Sequence, residues 1–217
     1  MTDRDEASAP PSAHAIQNPL VRLLGSTARE VVSLSFFLAL ALRRDAPVLA
    51  FFAGSVLNSL SSKVLKRILS QSRPDGSALG DPGMPSSHAT SLGFIASYAL
   101  ADGYLGTSAA AAPLAAAYVG ACLLHRVQTR LHTWEQVLVG AALGCANAVA
   151  WFRLVRSGMN FAGIHIQPIV DILNRSILPE SGIMPFRYLF IPAVVGACVV
   201  GSVERKILAA LERKKKK

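Results

Sequence analysis

Long apolar stretches separated by short polar segments run through most of the chain. The hydrophobic positions cluster into six candidate membrane spans, at residues 27–42, 46–62, 88–105, 108–124, 134–154 and 186–204. A helix needs about 20 mostly apolar residues to cross the hydrocarbon core of a bilayer, and residues 108–124 and 134–154 meet this requirement best. The pattern predicts an all-α polytopic membrane bundle with about five or six transmembrane helices.

The overall composition favours a membrane protein over a soluble one. Hydrophobic residues make up 52% of the 217 positions and charged residues only 16%, which is too apolar for an ordinary soluble domain of this size. Small residues fill several spans, and such residues allow helices to pack closely in lipid. A soluble bundle with long buried helices is the less favoured alternative.

Polar stretches divide the chain into four segments. We expect a polar N-terminal tail at 1–26, a membrane domain that carries the chemistry at 27–156, a linker with an additional membrane-associated helix at 157–204, and a basic tail at 205–217. The Arg29-Glu30 pair interrupts the first span, so the apolar pattern does not define where that span starts. The N-terminal tail lacks the basic region, apolar core and cleavage site of a secretory signal peptide.

The formal net charge of +9 is concentrated at the C-terminus. Residues 203–217 hold seven Lys or Arg and two Glu, so +5 of the charge lies there. Such a tail suits anionic lipid headgroups, and nucleic-acid binding is not expected because no soluble module presents a basic patch. Cys122, Cys145 and Cys198 lie inside apolar spans, which is typical of small hydrophobic residues rather than of disulfides or metal ligands.

The polar segments beside the spans contain charged and polar side chains whose presence next to a membrane span is not explained by contact with lipid. Lys66 and Arg73 are seven residues apart, which is two helical turns, and therefore share a helix face. The segment Pro85-Ser86-Ser87-His88 begins a helix. A Ser N-cap at a helix start leaves backbone N–H groups that suit an anion.

A third polar segment contains Arg126, Arg130 and His132 directly before a strong membrane span. His132 and Gln136 are four residues apart, so they are neighbours on a helix. Considered singly, each segment is typical of an interfacial anchor or a helix cap.

The number of crossings places all three polar segments on one side of the membrane. Two spans, 88–105 and 108–124, separate the second segment from the third, so the chain crosses away and returns. Three cations, two histidines and a helix start in one place suit a phosphate dianion. Two histidines in a phosphate site indicate one nucleophile and one general acid.

In order and spacing, the three segments resemble the phosphatidic acid phosphatase type 2 (PAP2) superfamily. The family pattern is Lys, six residues, Arg-Pro; then Pro-Ser-Gly-His; then Ser-Arg, five residues, His, three residues, Asp. The chain matches this pattern from Lys66 to Gln136 with three departures, which are Ser87 for Gly, His125 for Ser and Gln136 for Asp. The resemblance covers about residues 46–154.

The glutamine matters most for the chemistry, because its carbonyl accepts a bond from an imidazole N–H but supplies no charge. The phrases GMPSSH and LHTWEQV, which include this glutamine, resemble a narrower branch of the superfamily. That branch contains the dolichyl-diphosphatases of the endoplasmic reticulum and related plant lipid phosphatases, some of them plastidial. Gln136 in place of Asp therefore resembles a feature of this narrower branch.

The resemblance also implies roles for individual residues. The phosphate-binding residues that it implies are Lys66, Arg73, Ser86, Ser87 and Arg126. His132 would be the nucleophile that forms a phosphohistidine, His88 the general acid and base, and Gln136 the residue that orients His132. No metal and no other cofactor is expected, because side-chain cations neutralise the phosphate and the acidic residues lack metal-site spacing.

The activity that the resemblance implies is that of an integral membrane hydrolase. It would convert a polyprenyl (dolichyl) diphosphate to the monophosphate and phosphate, as part of lipid metabolism and protein glycosylation. Hydrolysis of phosphatidic acid to diacylglycerol is the alternative, since one phosphate cradle serves both substrates. A non-enzymatic lipid-phosphate-binding scaffold is disfavoured because both histidines and all three cations are present. A vanadate-dependent oxidase is disfavoured because such relatives are soluble.

Flanking charges predict the orientation. The side opposite the expected pocket holds four arginines, Arg43, Arg44, Arg153 and Arg156. By the positive-inside tendency that side is cytosolic, so the pocket would face the lumen of the endoplasmic reticulum, with a plastid membrane as the alternative. Lysines 214–217 resemble a cytosolic dilysine retrieval signal, whereas a single crossing by 186–204 would put them on the pocket side. The glycosylation sequon at 174–176 is expected to be unmodified, and the pattern leaves the oligomeric state open.

Overall fold

The structure, a computed structural model, describes residues 18–103, 109–156, 160–161 and 164–165, and the single residues 183, 185, 194, 198 and 202. Its helices are α1 (Pro19–Arg43), α2 (Ala46–Leu69), α3 (Ser87–Ala101), α4 (Ala111–Gln128) and α5 (Trp134–Arg156). A short strand β1 (Asn160–Phe161) pairs antiparallel with β2 (Ile164–His165).

The predicted helical membrane bundle is confirmed. Helices α1, α2 and α5 are each long and apolar enough to cross a membrane, whereas α3 has only 15 residues. The predicted span at 186–204, the linker before it, the sequon and the basic tail lie almost wholly outside the described residues.

Helix α1 begins at residue 19 rather than at the predicted residue 27. The side chain of Asn18 accepts a hydrogen bond from the N–H of Leu20 (2.9 Å), and Pro19 occupies the first helical position, where its missing N–H is not needed. Residues 19–26 therefore belong to the helix, and the expected boundary between tail and membrane domain falls inside α1. The Arg29-Glu30 pair interrupts the apolar pattern but not the helix.

Helix α2 continues beyond the predicted span 46–62, and this extension carries a charged side chain to the end of the bundle. It ends at Leu69, so Lys66 lies in its last turn. The helix stops because Ser70 adopts a left-handed conformation (φ 46°) in which its N–H bonds to the carbonyl of Lys66 (3.1 Å).

The closest helix packing is between α3 and α5. A Cβ on Gly144 would overlap the carbonyl oxygen of Thr90, and a Cβ on Gly93 would overlap the carbonyl oxygen of Ala141. Small residues of this kind let two helix backbones approach each other in lipid, where van der Waals contact drives association. Helix α1 packs mainly on α4, and α2 packs on α3 and α5.

Apolar side chains fill the interior at one end and cover the outer faces of the helices. Phe51 of α2 stacks on Tyr98 of α3 with 4.7 Å between ring centroids, and Phe94 stacks on both. Large side chains that stay exposed include Leu20, Leu23, Leu34, Leu42, Leu114 and Leu138. An outer surface so rich in leucine suits lipid rather than water.

A cluster of polar side chains links α2, α3 and α5 near the middle of the bundle. Asn58 donates to the carbonyl of Thr90 (3.2 Å), and Asn147 donates to Oδ1 of Asn58 (2.9 Å) and to Oγ of Ser61 (3.0 Å). Unpaired polar groups are costly in a lipid environment, so these pairings favour one register of the three helices.

We expect Gly144→Ala to destabilise the protein by about 1–3 kcal/mol, because the added methyl group overlaps the Thr90 carbonyl and forces α5 away from α3. Unfolding of the purified protein in detergent micelles, followed by circular dichroism, measures the change. Gly120→Ala on α4 is the matched control, since nothing in the described chain outside its own helix lies within 4 Å of the added Cβ. That variant should be neutral or stabilised by up to about 1 kcal/mol, and equal losses in both variants would contradict the close contact.

Candidate active site

The three polar segments singled out in the sequence meet at one end of the bundle. The C-terminal ends of α2 and α4 and the N-terminal ends of α3 and α5 converge there. The side chains that they bring together are Lys66, Arg73, His88, Arg126, His132 and Gln136. The charges of Arg73, Lys66 and Arg126 all act on His132.

Arg73 lies in the loop after α2 and contacts His132 directly. Its Nη1 donates to the carbonyl of Leu131 (2.6 Å) and lies 3.1 Å from Nε2 of His132. A guanidinium only donates hydrogen bonds, so Nε2 of the imidazole must be the acceptor. Only 5% of the Arg73 side chain is exposed, which makes this contact a buried one.

Gln136 holds the other ring nitrogen of His132. Nδ1 lies 3.1 Å from Gln136 Oε1, which carries no hydrogen, so Nδ1–H donates. The amide orientation follows from its other end, because Gln136 Nε2 donates to the carbonyl of Ser72 (2.7 Å) and to Oε1 of Gln71 (3.3 Å). The network therefore assigns the tautomer with the proton on Nδ1 and a lone pair on Nε2.

The same glutamine caps helix α5. Oε1 of Gln136 accepts from the N–H of Thr133 (3.3 Å), and the N–H of Gln136 donates to Thr133 Oγ1 (3.3 Å), which is the reciprocal arrangement of a capping box. A carboxylate at this position would accept the same bonds but would face the Ser72 carbonyl with a second acceptor. The amide N–H of Gln136 thus makes a contact with the Ser72 carbonyl that a carboxylate cannot make.

Burial, followed by the positive charge of Arg73, lowers the pKa of His132 from its ordinary 6.5 to about 4. The hydrogen bond to Gln136 acts in the opposite direction but does not reverse the shift. At neutral pH the imidazole is therefore uncharged, and its Nε2 lone pair accepts from Arg73. That lone pair can attack an electrophile only after the bond to Arg73 is released.

Backbone contacts dock the Pro-Ser-Ser-His segment on α5. The N–H of Ser86 donates to the carbonyl of Gln136 (3.0 Å), and Gly83 packs so closely on the Gln136 amide that a Cβ there would overlap it. Ser86 is fully buried, and its Oγ accepts from the N–H of Ala89 (3.5 Å) as the N-cap of α3. The predicted N-cap is thus confirmed.

The first turn of α3 points its backbone toward the site. The N–H groups of Ser87 and His88 precede the first α3 hydrogen bond, which runs from Thr90 to Ser86 (2.9 Å). The hydroxyl of Ser62 donates to Oγ of Ser87 (3.2 Å). Phosphate binding by Ser86 and Ser87 stays a prediction.

Two buried nitrogen atoms at the site have no hydrogen-bond partner within the described residues, namely Nε2 of His88 and Nε of Arg126. The charges of Arg126 and His132 act on His88, so the three side chains lie near one another. The carbonyl of Arg126 also accepts from the N–H groups of Leu131 (3.1 Å) and His132 (3.3 Å), which ties the loop to α4. Buried polar atoms are usually paired, so these two nitrogens are suited to bonding an anion.

Asp81 is a site residue that the sequence analysis missed. Its Oδ2 lies 2.9 Å from Lys66 Nζ, its Oδ1 lies 2.8 Å from Arg73 Nη2, and its carbonyl accepts from Arg73 Nε (2.9 Å). Desolvation alone would raise the pKa of Asp81, but the hydrogen bond and charge of Lys66, together with Arg73, lower it. The only signal in the sequence was an acidic residue in the Gly- and Pro-rich loop between two basic or histidine-bearing motifs.

Arg29, interpreted in the sequence only as a break in an apolar span, lies beside a cavity next to the site; its side chain is 82% exposed and pairs with Glu30 (2.8 Å). A largely apolar cavity of about 450 Å³ lies between α1, α2 and α3, and both Arg29 and His88 line it. The rest of its wall is mostly aromatic and aliphatic, including Phe36, Phe52 and Phe94. The cavity therefore joins an apolar groove to the polar site.

No cluster of three or more His, Cys, Asp or Glu side chains suited to a metal ion occurs in the described part of the chain. Cys122, Cys145 and Cys198 are free thiols.

Comparison with known proteins points to lipid phosphatases. Lipid phosphate phosphatase epsilon 1, chloroplastic, from Arabidopsis thaliana is 40% identical over 132 residues, 58% of this chain and 47% of that protein. Lipid phosphate phosphatase epsilon 2, chloroplastic, from the same plant is 36% identical over 160 residues, 68% of this chain and 56% of that protein. Dolichyldiphosphatase 1 of Homo sapiens is 29% identical over 173 residues, 69% of this chain and 72% of that protein.

The chain spans about half the length of the two chloroplastic relatives. No family model matches the chain. No solved structure matches it either.

We expect the free energy of unfolding to decrease as the pH falls from 6.5 toward 4, in part because of His132. The folded imidazole stays neutral while the unfolded one takes up a proton, so the unfolded state binds more protons in this window. The effect of this one group is at most about 3 kcal/mol and is complete below the folded pKa. Unfolding in detergent micelles at several pH values measures the slope.

The control for this pH dependence is His132→Asn, which removes the titrating ring. The difference in the free energy of unfolding between wild type and variant should become smaller at low pH, because only wild type loses the contribution of the neutral His132 ring. A difference that is constant from pH 7 to pH 4 would show that His132 is not held neutral by the fold.

Proposed function

Because this chain is homologous to phosphatases of the PAP2 superfamily, we propose that it is a membrane enzyme that hydrolyses a lipid phosphate through a phosphohistidine intermediate. The observation that carries the proposal is the neutral His132, whose Nε2 lone pair faces the guanidinium of Arg73. A nucleophile held beside a phosphate-binding cation is what phosphoryl transfer to a histidine requires. The resemblance to the superfamily that was inferred from the motifs is confirmed by these relatives.

In the proposed first step, Nε2 of His132 attacks phosphorus in line with the leaving oxygen. The N–P bond forms while the P–O bond to the lipid breaks, and His88, which would be an imidazolium beside the bound phosphate anion, donates a proton to the leaving oxygen. The tautomer held by Gln136 keeps the attacking nitrogen free of a proton. Gln136 also bonds the Nδ1–H that remains on the ring as positive charge develops there.

In the second step, water replaces the histidine. His88, now without its proton, removes a proton from water, and the water oxygen attacks phosphorus as the N–P bond breaks. His132 returns to its neutral state and inorganic phosphate leaves. One histidine thus serves as acid and then as base, which a site with two imidazoles and no metal allows.

Charge stabilisation in this mechanism comes from three cations and a helix start. Lys66, Arg73 and Arg126 would bind the non-bridging phosphate oxygens, and the N–H groups of Ser87 and His88 would complete the cradle. The unpaired Nε of Arg126 supports this role, since a buried guanidinium nitrogen needs an acceptor. Catalysis then consists mainly of positioning and charge neutralisation.

We propose a polyprenyl diphosphate of the dolichyl type as the substrate, with phosphatidic acid as the alternative. In a diphosphate, the leaving group is itself a lipid monophosphate, which needs a cation on the side of His88. Arg29 lines the apolar cavity together with His88, and its charge acts on both His88 and Arg126. The leaving group of phosphatidic acid is an alcohol, which carries no phosphate of its own for this cation to bind.

The same comparison supports a proposal about the location. We propose an integral membrane protein of the endoplasmic reticulum with the site facing the lumen, in line with the flanking arginines and the dolichyldiphosphatase relatives. A plastid membrane is the alternative, because the two plant relatives are described as chloroplastic. A non-enzymatic scaffold that binds lipid phosphate is the second class of function. Such a scaffold would not depend on His132 for turnover, so substitution of this residue distinguishes the two.

We expect His132→Asn to lower phosphate release by a factor of about 10³ or more, because the nucleophile itself is removed. Purified protein in micelles with dolichyl diphosphate provides the assay. Wild-type protein quenched during turnover of ³²P-labelled substrate should carry acid-labile, base-stable label, and the variant should carry none. His165→Asn in β2 is the control for the substitution, and turnover that persists in His132→Asn would leave only the scaffold.

We expect Arg29→Gln to reduce kcat/KM for dolichyl diphosphate by roughly 10- to 100-fold, because a charge-assisted contact to the leaving phosphate is lost. The value of kcat/KM for phosphatidic acid should change far less. The ratio of kcat/KM for the two substrates therefore measures how much Arg29 contributes to recognition of the diphosphate. Arg22→Gln, on the same helix and also exposed, is the matched control. A parallel loss on both substrates would argue against Arg29 as the residue that recognises a diphosphate.

A further inference from the structure

The carboxylate of Asp81 bridges two of the cations proposed to bind phosphate. Oδ2 pairs with Lys66 Nζ at 2.9 Å and Oδ1 with Arg73 Nη2 at 2.8 Å. The Lys66 and Arg73 side chains are only 13% and 5% exposed, whereas the Asp81 side chain is 51% exposed. An accessible anion therefore lies on two nearly inaccessible cations.

Every nitrogen of the Arg73 guanidinium is engaged in this arrangement. Nε and Nη2 donate to Asp81, while Nη1 donates to the Leu131 carbonyl and faces His132. The two oxygens of a carboxylate and two non-bridging oxygens of a phosphate make the same kind of bidentate contact with a guanidinium. A phosphate can take the Nη2–H and the ammonium N–H that now bond Asp81 only after the Asp81 side chain has moved away.

The loop around Asp81 gives that side chain a place to go. A solvent-open cavity of about 350 Å³ is lined by loop residues 70–77 and 79–82, among them Arg73 and Asp81. The loop backbone is itself held by a hydrogen bond from Gly83 N–H to the Gln71 carbonyl (2.7 Å). Rotation of the Asp81 side chain into the cavity releases the cations without movement of the loop ends.

On this geometry, and on the function proposed above, we propose that Asp81 is a specificity-determining residue that excludes monoanionic lipid headgroups from the phosphate site. Phosphodiester lipids carry a single negative charge and greatly outnumber any lipid monophosphate or diphosphate substrate in an anionic membrane. A monoanion gains no charge by replacing the carboxylate, because it exchanges one anion for another of equal charge. A phosphomonoester dianion or a diphosphate brings at least one additional negative charge and displaces Asp81.

Competition of this kind is a form of discrimination against the wrong ligand rather than stronger binding of the right one. The same exchange costs some affinity for the substrate, because the ion pairs with Lys66 and Arg73 must be broken. Asp81 therefore acts on binding, and its removal should make the site both tighter and less selective.

The test is inhibition of dolichyl diphosphate hydrolysis by phosphatidylglycerol, a monoanionic phosphodiester, in neutral detergent micelles. Wild type should be weakly inhibited. We expect Asp81→Asn to lower the inhibition constant for phosphatidylglycerol by about tenfold or more and to lower KM, with kcat not reduced. Asp75→Asn, an acidic residue of the same loop, is the matched control and should resemble wild type.

Asp81→Glu keeps the carboxylate and should keep most of the resistance to phosphatidylglycerol, which separates a role of the charge from a role in folding. If Asp81→Asn is no more sensitive than wild type, or if Asp75→Asn becomes equally sensitive, the proposal is wrong. It is also wrong if the inhibition constants of Asp81→Glu and Asp81→Asn fall together.

A second measurement does not need catalysis. Binding of inorganic phosphate and of phosphatidylglycerol to the purified protein, by calorimetry in the same micelles, should show that Asp81→Asn gains more affinity for the phosphodiester than for phosphate. Absence of hydrolysis in wild type, with this binding pattern intact, would overturn the proposed enzyme and leave the role of Asp81 standing. Hydrolysis by wild type, with affinities for phosphate and phosphatidylglycerol that do not differ between wild type and Asp81→Asn, would support the enzyme and overturn the role of Asp81.

Discussion

The hydrogen bond between His132 Nδ1 and Gln136 Oε1 is the contact on which the rest of the site depends. It selects the tautomer, and so decides which ring nitrogen meets Arg73 and which keeps its proton. The glutamine that makes this bond also caps α5 through Thr133 and holds the loop after α2 through the Ser72 carbonyl. The start of α5, the His132 ring and the loop after α2 are thus one hydrogen-bonded unit. Because Gln136 is fully buried, no water competes for these bonds.

The fold offsets the mutual repulsion of the clustered cations by local means. Arg73 is surrounded by the carbonyls of Leu131 and Asp81 as well as by a carboxylate, so its charge is neutralised where it is most buried. The backbone around His132 is tied to the Arg126 carbonyl, which keeps the loop short. Contacts of α3 with α5 through glycines, and the buried Asn58 cluster, hold the converging helix ends in place. Rigid packing in the middle of the bundle therefore supports the polar site at its end.

Much of this arrangement could be predicted from the sequence because it is local. The Ser86 cap and the contact of His132 with Gln136 follow from short-range patterns. The helix face predicted for Lys66 and Arg73 was wrong, because α2 ends at Leu69 and Arg73 lies in the loop beyond it. His132 also precedes α5, which begins at Trp134, so it meets Gln136 from the loop and not from within the helix. Asp81 could not be predicted, since a loop has no periodicity that says where a side chain points. The place of Arg29 beside the cavity could not be predicted either, because it depends on how α1, α2 and α3 pack together. The early start of α1 was missed because apolar clustering marks a lipid-facing stretch and not the hydrogen bonds that begin a helix.

The shortness of α3 has a consequence for the bilayer itself. Fifteen residues make a helix about 22 Å long, less than the roughly 30 Å of a typical hydrocarbon core. Ser62 bonds Ser87 at the start of α3 whereas α2 continues to Leu69, so the polar start of α3, with His88 in its first turn, lies about two turns inside the end of α2. Lipid beside it must thin or tilt to match. A lipid bound as proposed would then bring its headgroup to the imidazoles while its hydrocarbon chain stays in the bilayer.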